Sequence, residues 1–262
     1  WNELIKENSK LRIRDAATKL GVSEAELLAT GCGENVTRLE GNWPDVGKEL
    51  GSLGETMALT RNEHIVHEKN GVYRGIDAFH GMGLVAGPDI DLRLFYSHWH
   101  LGFAVIEESP RGTRHSLQFF DIDGEATHKV YLQEGADYAA YDTIVAKYRS
   151  NNQSPIQPVK AKPAAAATLS DEEVDVEGFQ KAWRELEDTH AFFGLLSEFK
   201  VDRLQALRLA PEGYAQEITK DAPHRLLEKA AADRTPIMVF VGNPGTLQIH
   251  TGPVENIKPY ED

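Results

Sequence analysis

Two residues in this sequence are placed where their side chains could do chemistry. His190 falls on an apolar stripe of Phe179, Trp183, Leu186, His190 and Phe193, spaced by four, three, four and three residues. That spacing predicts one amphipathic helix with the imidazole on its apolar face. A neutral imidazole among aromatic rings offers a ring nitrogen to a metal, and haem iron, with the rings covering the porphyrin, is the chemistry it fits. A buried histidine satisfied by a backbone carbonyl is the structural alternative. Arg93 lies in Asp91-Leu92-Arg93-Leu94-Phe95, a predicted strand. Strand alternation puts Arg93 and Phe95 on one face and Leu92 and Leu94 on the other. An arginine among apolar strand residues needs a counter-charge or a ligand. Asp91 and Glu107 are the candidate counter-charges.

Other pairings are weaker. His98 and His100 flank Trp99 on a predicted strand, and a His-x-His pair can chelate a metal, but no third ligand is evident nearby. His64 and His67 lie beside a predicted hairpin and could approach a ligand from the sheet. Asn243-Pro244-Gly245 has the look of a phosphate loop, yet no lysine-serine or lysine-threonine pair follows it, so a hairpin turn is expected. There is no Gly-x-Ser-x-Gly elbow and no Cys-x-x-Cys. The stretch from Ile13 to Leu27 has the helix, glycine turn and helix of a DNA reader. Its second helix begins with Glu24 and Glu26 and carries no cation, which would repel phosphates. A helical pair packed on a sheet is the expectation there.

The elements that must hold these residues are helices first, then strands. Ile13, Ala16, Ala17 and Leu20 have helical spacing ended by Gly21, and Ser23-x-x-Glu26 is a capping box opening the next helix. From Met57 to about Gln133 short β-branched and aromatic runs follow closely, leaving no room for helical crossovers, so the pairing should be antiparallel. Asn70-Gly71 and Asp123-Gly124 read as hairpin turns. Ala136–Arg149 returns to helix. After the periodic stripe, helices are predicted over Val201–Leu209 and Ala222–Ala232. The fold class is α+β, with helices on one face of a large antiparallel sheet in each of two units.

The two units come from an internal repeat. Residues 57–76 align without a gap to residues 238–257, pairing Met57 with Met238, Asn62 with Asn243, Gly71 with Gly252 and Ile76 with Ile257. The first copy runs on from Ile76 to about Arg149, whereas the chain stops at Asp262, soon after Ile257. The expected division is a first repeat over 1–150, a linker over 151–175 rich in proline and alanine, and a second repeat over 176–262 lacking its C-terminal part. The sequence has 262 residues, 41% hydrophobic and 26% charged, within the ordinary globular range. A net charge of −13 argues against nucleic acid and anionic membrane over most of the surface. A single cysteine, Cys32, excludes an intramolecular disulfide and fits a reducing cytoplasm. No apolar run reaches the length of a membrane span.

Together these stretches resemble the bacterial haem-utilisation family of HemS, ChuS and HmuS, the haemin-degrading factors. The resemblance is carried in order by Arg61-Asn62-Glu63 with Val66-His67-Glu68, Asp91-Leu92-Arg93-Leu94-Phe95, Leu117-Gln118-Phe119-Phe120-Asp121, Thr189-His190-x-Phe192-Phe193 and Met238-Val239-Phe240-Val241-Gly242-Asn243. It implies a cytoplasmic haem-binding protein of iron acquisition that holds haem between the two repeats. It implies His190 as the iron ligand, Arg93 as the residue acting on the opposite haem face, and Arg203 as a propionate contact, with Phe95 and Phe193 against the cofactor. Leu204 and Leu207 stand where the family has more polar or aromatic neighbours, and Pro244 replaces the more usual arginine of Asn-Arg-Gly. The same residues serve haem degradation with an external reductant or delivery to a separate haem oxygenase. The importer's cytoplasmic face is a further implied partner, and a homodimer is left open.

Overall fold

The computed structural model describes residues 1–8, 11–79, 81–109, 112–164 and 167–258, with the backbone alone at Asn2, Ser109 and His190. Three helices open the chain: α1 (Asn2–Glu7), α2 (Ile13–Leu20) and α3 (Glu24–Ala29). Gly21 ends α2 in the left-handed region at φ 69°, a conformation that costs a residue without Cβ little. Ser23 Oγ accepts from Glu26 N–H (3.2 Å) while Glu26 accepts from Ser23 N–H (2.9 Å), so the predicted capping box forms. Ala25, Leu28 and Ala29 are buried against Phe103 and Phe120. The pair therefore packs on a sheet, as expected, with Glu24 buried and ion-paired to Arg61 and Lys129.

The strands follow with one helix among them and one after: β1 (Val36–Leu39), α4 (Trp43–Glu49), β2 (Gly54–Arg61), β3 (Val66–Gly71), β4 (Ile76–Phe79), β5 (Met82–Ala86), β6 (Asp91–Phe95), β7 (Leu101–Ser109), β8 (Gly112–Phe120), β9 (Ala126–Ala136) and α5 (Tyr138–Tyr148). Four helices come next, α6 (Val176–Arg184), α7 (Phe192–Phe199), α8 (Arg203–Arg208) and α9 (Ala222–Asp233), then β10 (Ile237–Asn243) and β11 (Thr246–Gly252). The α+β class and antiparallel pairing are as expected. The strands divide between two sheets, of order β1-β7-β8-β9-β2-β3 and β10-β11-β6-β5-β4. A core including Leu53, Tyr73, Leu92, Leu94, Trp99, Phe119 and Val130 draws on both sheets.

Two turns differ from expectation. Asn70-Gly71 is not a hairpin turn but the end of β3, where Gly71 takes φ 155° and a Cβ would come within 2.6 Å of Asp89 Cβ. The turn between β2 and β3 lies at 62–65 instead, because Asn62 Oδ1 accepts from the N–H groups of His64 (2.9 Å) and Ile65 (3.0 Å) and closes the chain there. Asp123-Gly124 does turn between β8 and β9.

The repeated segments form the β2–β3 and β10–β11 hairpins, and the likeness extends to their contacts. Asn243 Oδ1 accepts from Gly245 and Thr246 N–H, both at 3.0 Å, as Asn62 does in its own turn. Asn62 Nδ2 donates to the Gly242 carbonyl (3.1 Å), and Asn243 Nδ2 donates to the Arg61 carbonyl (2.9 Å). Each contact is the other's counterpart under the repeat, the signature of a local two-fold relation. Gly252 repeats the unusual backbone of Gly71 at φ 149°.

Chain repeats and compact units are divided differently. Residues 1–162 and 233–256 form one compact unit, and residues from Pro163 to Ala232 form the body of the other. The hairpin of the second repeat thus completes a sheet of the first unit, because β11 pairs with β6. Part of the expected linker also belongs there: Lys160 N–H donates to the Ile122 carbonyl (2.8 Å), and Gln157 is buried.

In the second unit the expected continuous helix is broken. α6 ends at Arg184, a 3-10 turn spans Thr189–Ala191, and α7 begins at Phe192. Glu185, Glu187 and Asp188 crowd the C-terminal end of α6, where the helix dipole disfavours anions. The apolar stripe is split accordingly. Phe179 is fully buried with Leu195, Leu196 and Val201, whereas Phe193 is 65% exposed.

Candidate functional site

The outer face of the five-stranded sheet is built around Arg93. Directly opposed residues of antiparallel strands share a face. Arg93 sits opposite Leu84 on β5 and Leu247 on β11, Phe95 opposite Met82, and Asp91 opposite Ile249. The next strands out add Phe79, opposite Met82, and Phe240, opposite Ile249. Leu92 and Leu94 turn into the core with no exposed surface, so the predicted alternation of β6 holds. The result is an open apolar wall with a guanidinium near its middle. Phe240 and Met238 are 53% and 55% exposed, and the Arg93 side chain 37%.

Arg93 pairs with Asp91, two residues earlier on the same face, and its Nη1 also donates to the Leu92 carbonyl (3.2 Å). Glu107, the other candidate counter-charge, pairs with Arg114 at 2.8 Å. The end of β6 is pinned by the β10–β11 turn, whose Gly245 carbonyl accepts from Phe95 N–H (2.9 Å) and Trp99 Nε1–H (3.0 Å). The Arg93 strand thus takes its position partly from a turn far along the chain. Sequence reasoning found Arg93 and Phe95 but missed Phe79, Met82, Leu84, Met238, Phe240 and Leu247. The signal available was apolar residues at both parities of β5 and β10, which marks a strand with two apolar faces.

In the helical unit, the backbone of His190 lies on the 3-10 turn leading into α7, and the expectation for its side chain lies outside the described residues. Phe193 projects from the first turn of α7, and the Arg203 guanidinium lies 5.8 Å from the centre of its ring, a cation–π contact. Asp202 and Gln205 form a capping box that starts α8 at Arg203. Leu204 and Leu207, one helical turn apart, are exposed beside it. Unit two therefore carries its own apolar surface with a cation attached.

The remaining histidines are placed elsewhere. His98 ends a 3-10 turn and His100 lies outside any strand; their Nδ1 atoms approach the two oxygens of buried Asp121 at 3.4 and 3.3 Å. This corrects the expected strand placement, because the chain turns at Tyr96–His98 to enter β7. No group of three or more His, Cys, Asp or Glu among the described residues is arranged to hold a metal ion. His64 is exposed in the β2–β3 turn. His67 is half-buried on β3, and burial lowers its pKa below the ordinary value. His128, not singled out from the sequence, is fully buried between Thr60 Oγ1 (3.0 Å) and Tyr73 OH (2.7 Å). Its burial drives the pKa down to about 3, so it is a neutral core residue at physiological pH.

The chain matches the Haemin-degrading HemS.ChuX domain over residues 21–148 and 200–262. It is 37% identical over 252 residues to hemin transport protein HemS of Yersinia enterocolitica, covering 95% of this chain and 72% of that protein. The chain belongs to the HemS/ChuX family. Hemin transport protein HmuS of Yersinia pestis matches to the same extent. Among solved structures, holo-PhuS, a heme-binding protein from Pseudomonas aeruginosa, superposes with a TM-score of 0.96 at 45% identity, over all of this chain and 76% of that one. The heme degrading enzyme ChuS of Escherichia coli O157:H7 superposes with a TM-score of 0.91 at 35% identity, over the same shares. Arg93, Phe95 and Arg203 fall inside the residues matched by the HemS/ChuX family, while His190 falls between the two matched segments. No helix among the described residues is long and apolar enough to cross a membrane.

Proposed function

We propose that this chain binds haem in the cytoplasm as part of bacterial iron acquisition. The observation that carries the reading is the open apolar wall with Arg93 at its middle. A flat macrocycle with two carboxylates needs a broad apolar surface and a few cations, and a sheet face supplies the breadth. His190 is the iron ligand in this reading. Arg93 would act at the bound haem, donating hydrogen bonds from the guanidinium atoms that Asp91 leaves free. Phe95 and Phe193 cover the ring, and Arg203 holds a propionate. Bound haem supplies the iron and its redox chemistry; the chain orients it, excludes water and places one donor.

Two outcomes for the bound haem are distinguished by the names of the relatives, which divide between hemin transport and heme degradation. As an enzyme, the chain would open the macrocycle with dioxygen and electrons from an external reductant, and release iron. As a carrier, it would receive haem at the importer's cytoplasmic face and pass it to a separate haem oxygenase. Incubation with haem and a reductant, with catalase present, separates them. Loss of the Soret band with carbon monoxide release supports the enzyme. A stable haem complex under those conditions supports the carrier. Acidic composition speaks against DNA as a partner, since phosphate binding needs cations that release counterions.

A further inference from the structure

A cavity of about 440 Å³ lies in the first unit, lined in part by the turns of the two clasped hairpins. Its walls include Arg14, Arg61, Asn62, Lys162 and Asn243. Arg61 is 10% exposed and belongs to a buried triplet with Glu24 and Lys129, which are 2% and 7% exposed. Two cations there answer one carboxylate, so the triplet carries one net positive charge out of water. Burial of unbalanced charge is costly, and an anion close by offsets it. Arg14 adds a second positive charge. It donates one long bond, 3.4 Å, to the Asn62 carbonyl, and no carboxylate among the described residues lies within ion-pair distance of it.

The lining also carries negative charge. Glu63 and Glu125 line the cavity and are exposed. Asp121 and Asp123 are engaged by His98, His100 and Lys162. A highly charged anion would be repelled by such carboxylates, whereas a single anionic group on a cationic or hydroxylic body meets complementary charge for each of its parts. The volume falls in the range of small-molecule sites.

We propose that this cavity binds a small amphoteric solute, with its phosphate or carboxylate on Arg14 and Arg61 and its amino or hydroxyl groups toward Glu63 and Glu125. The arrangement is independent of the haem reading, since none of these residues lies on the Arg93 face. A ligand here would touch the turns of both hairpins and so stabilise the clasp between them.

Calorimetric titration of the full chain, without haem and at fixed ionic strength, tests this with three probes: inorganic phosphate, O-phosphoethanolamine and 4-aminobutyrate. Saturable binding of O-phosphoethanolamine or 4-aminobutyrate is expected, and which of the two binds tells phosphate from carboxylate recognition. Arg14→Gln should weaken it on the order of 10-fold or more, the usual worth of a charge-assisted bond, and Arg14→Lys should restore part of it. Glu63→Gln with Glu125→Gln should weaken the amphoteric probes while leaving inorganic phosphate unchanged or tighter. Absence of saturable heat for all three probes overturns the proposal. So does equal affinity in Arg14→Gln whose circular dichroism matches the parent.

Discussion

Arg93 keeps its guanidinium on an apolar sheet face because Asp91 and the Leu92 carbonyl hold Nη1 from behind. Both charged groups are about one-third exposed, so the pair contributes at most about 1 kcal/mol to folding. Asp91→Asn should therefore shift the urea midpoint little. It should also leave Arg93 uncompensated and raise azide affinity in the haem-loaded protein, as read by absorbance. Unchanged azide binding would mean that Asp91 does not tune Arg93. His128 makes the opposite kind of prediction, one about stability. Its folded pKa of about 3 lies below the ordinary 6.5, so the unfolded chain binds more protons between those values. Stability is present in full above pH 6.5 and falls as pH drops toward 3, with a slope from this residue of up to about 1.4 kcal/mol per pH unit. Urea unfolding at pH 7, 6 and 5 measures it; His128→Gln should flatten the curve. Arg93 was legible in the sequence because alternation along five residues shows its face. His128 was not, since its partners Thr60 and Tyr73 reach it only through the fold.

At the level of elements, the clasped hairpins explain why a weak repeat was visible at all. Asn62 and Asn243 close their own turns and donate to each other's strands, so both positions demand a short side chain with one acceptor and two donors. Asn62→Ala and Asn243→Ala should each cost on the order of 1–2 kcal/mol, with the double substitution non-additive because the two residues share one interface. Additive losses in a denaturation cycle would show that the turns act separately. Capping signals were the reliable local guides: Gly21, Ser23 and Glu26 mark helix ends as expected. The stripe from Phe179 to Phe193 misled because periodicity ignores charge. Three carboxylates at the end of α6 break a helix that apolar spacing alone would continue. Asn70-Gly71 misled for a related reason, since Gly71 serves a close approach to Asp89 and not a reversal.

For the whole molecule, what was hardest to read is that the second repeat's hairpin completes the first unit's sheet. β6 and β11 lie far apart in sequence, and pairing at that distance leaves no local mark. The consequence is that the Arg93 wall draws on both repeats. Met238→Glu, on the exposed edge of that wall, should leave folding within about 0.5 kcal/mol of the parent, as surface changes usually do, while weakening haem binding. Far-UV circular dichroism beside a haem titration checks both parts. The most direct measurement is a Soret titration of the parent chain beside His190→Ala and Arg93→Ala. The account predicts saturation at one haem per chain, with the band shifted or lost in His190→Ala and its ligand-dependent spectrum altered in Arg93→Ala. A parent that does not saturate, or three proteins with the same spectrum, would contradict it.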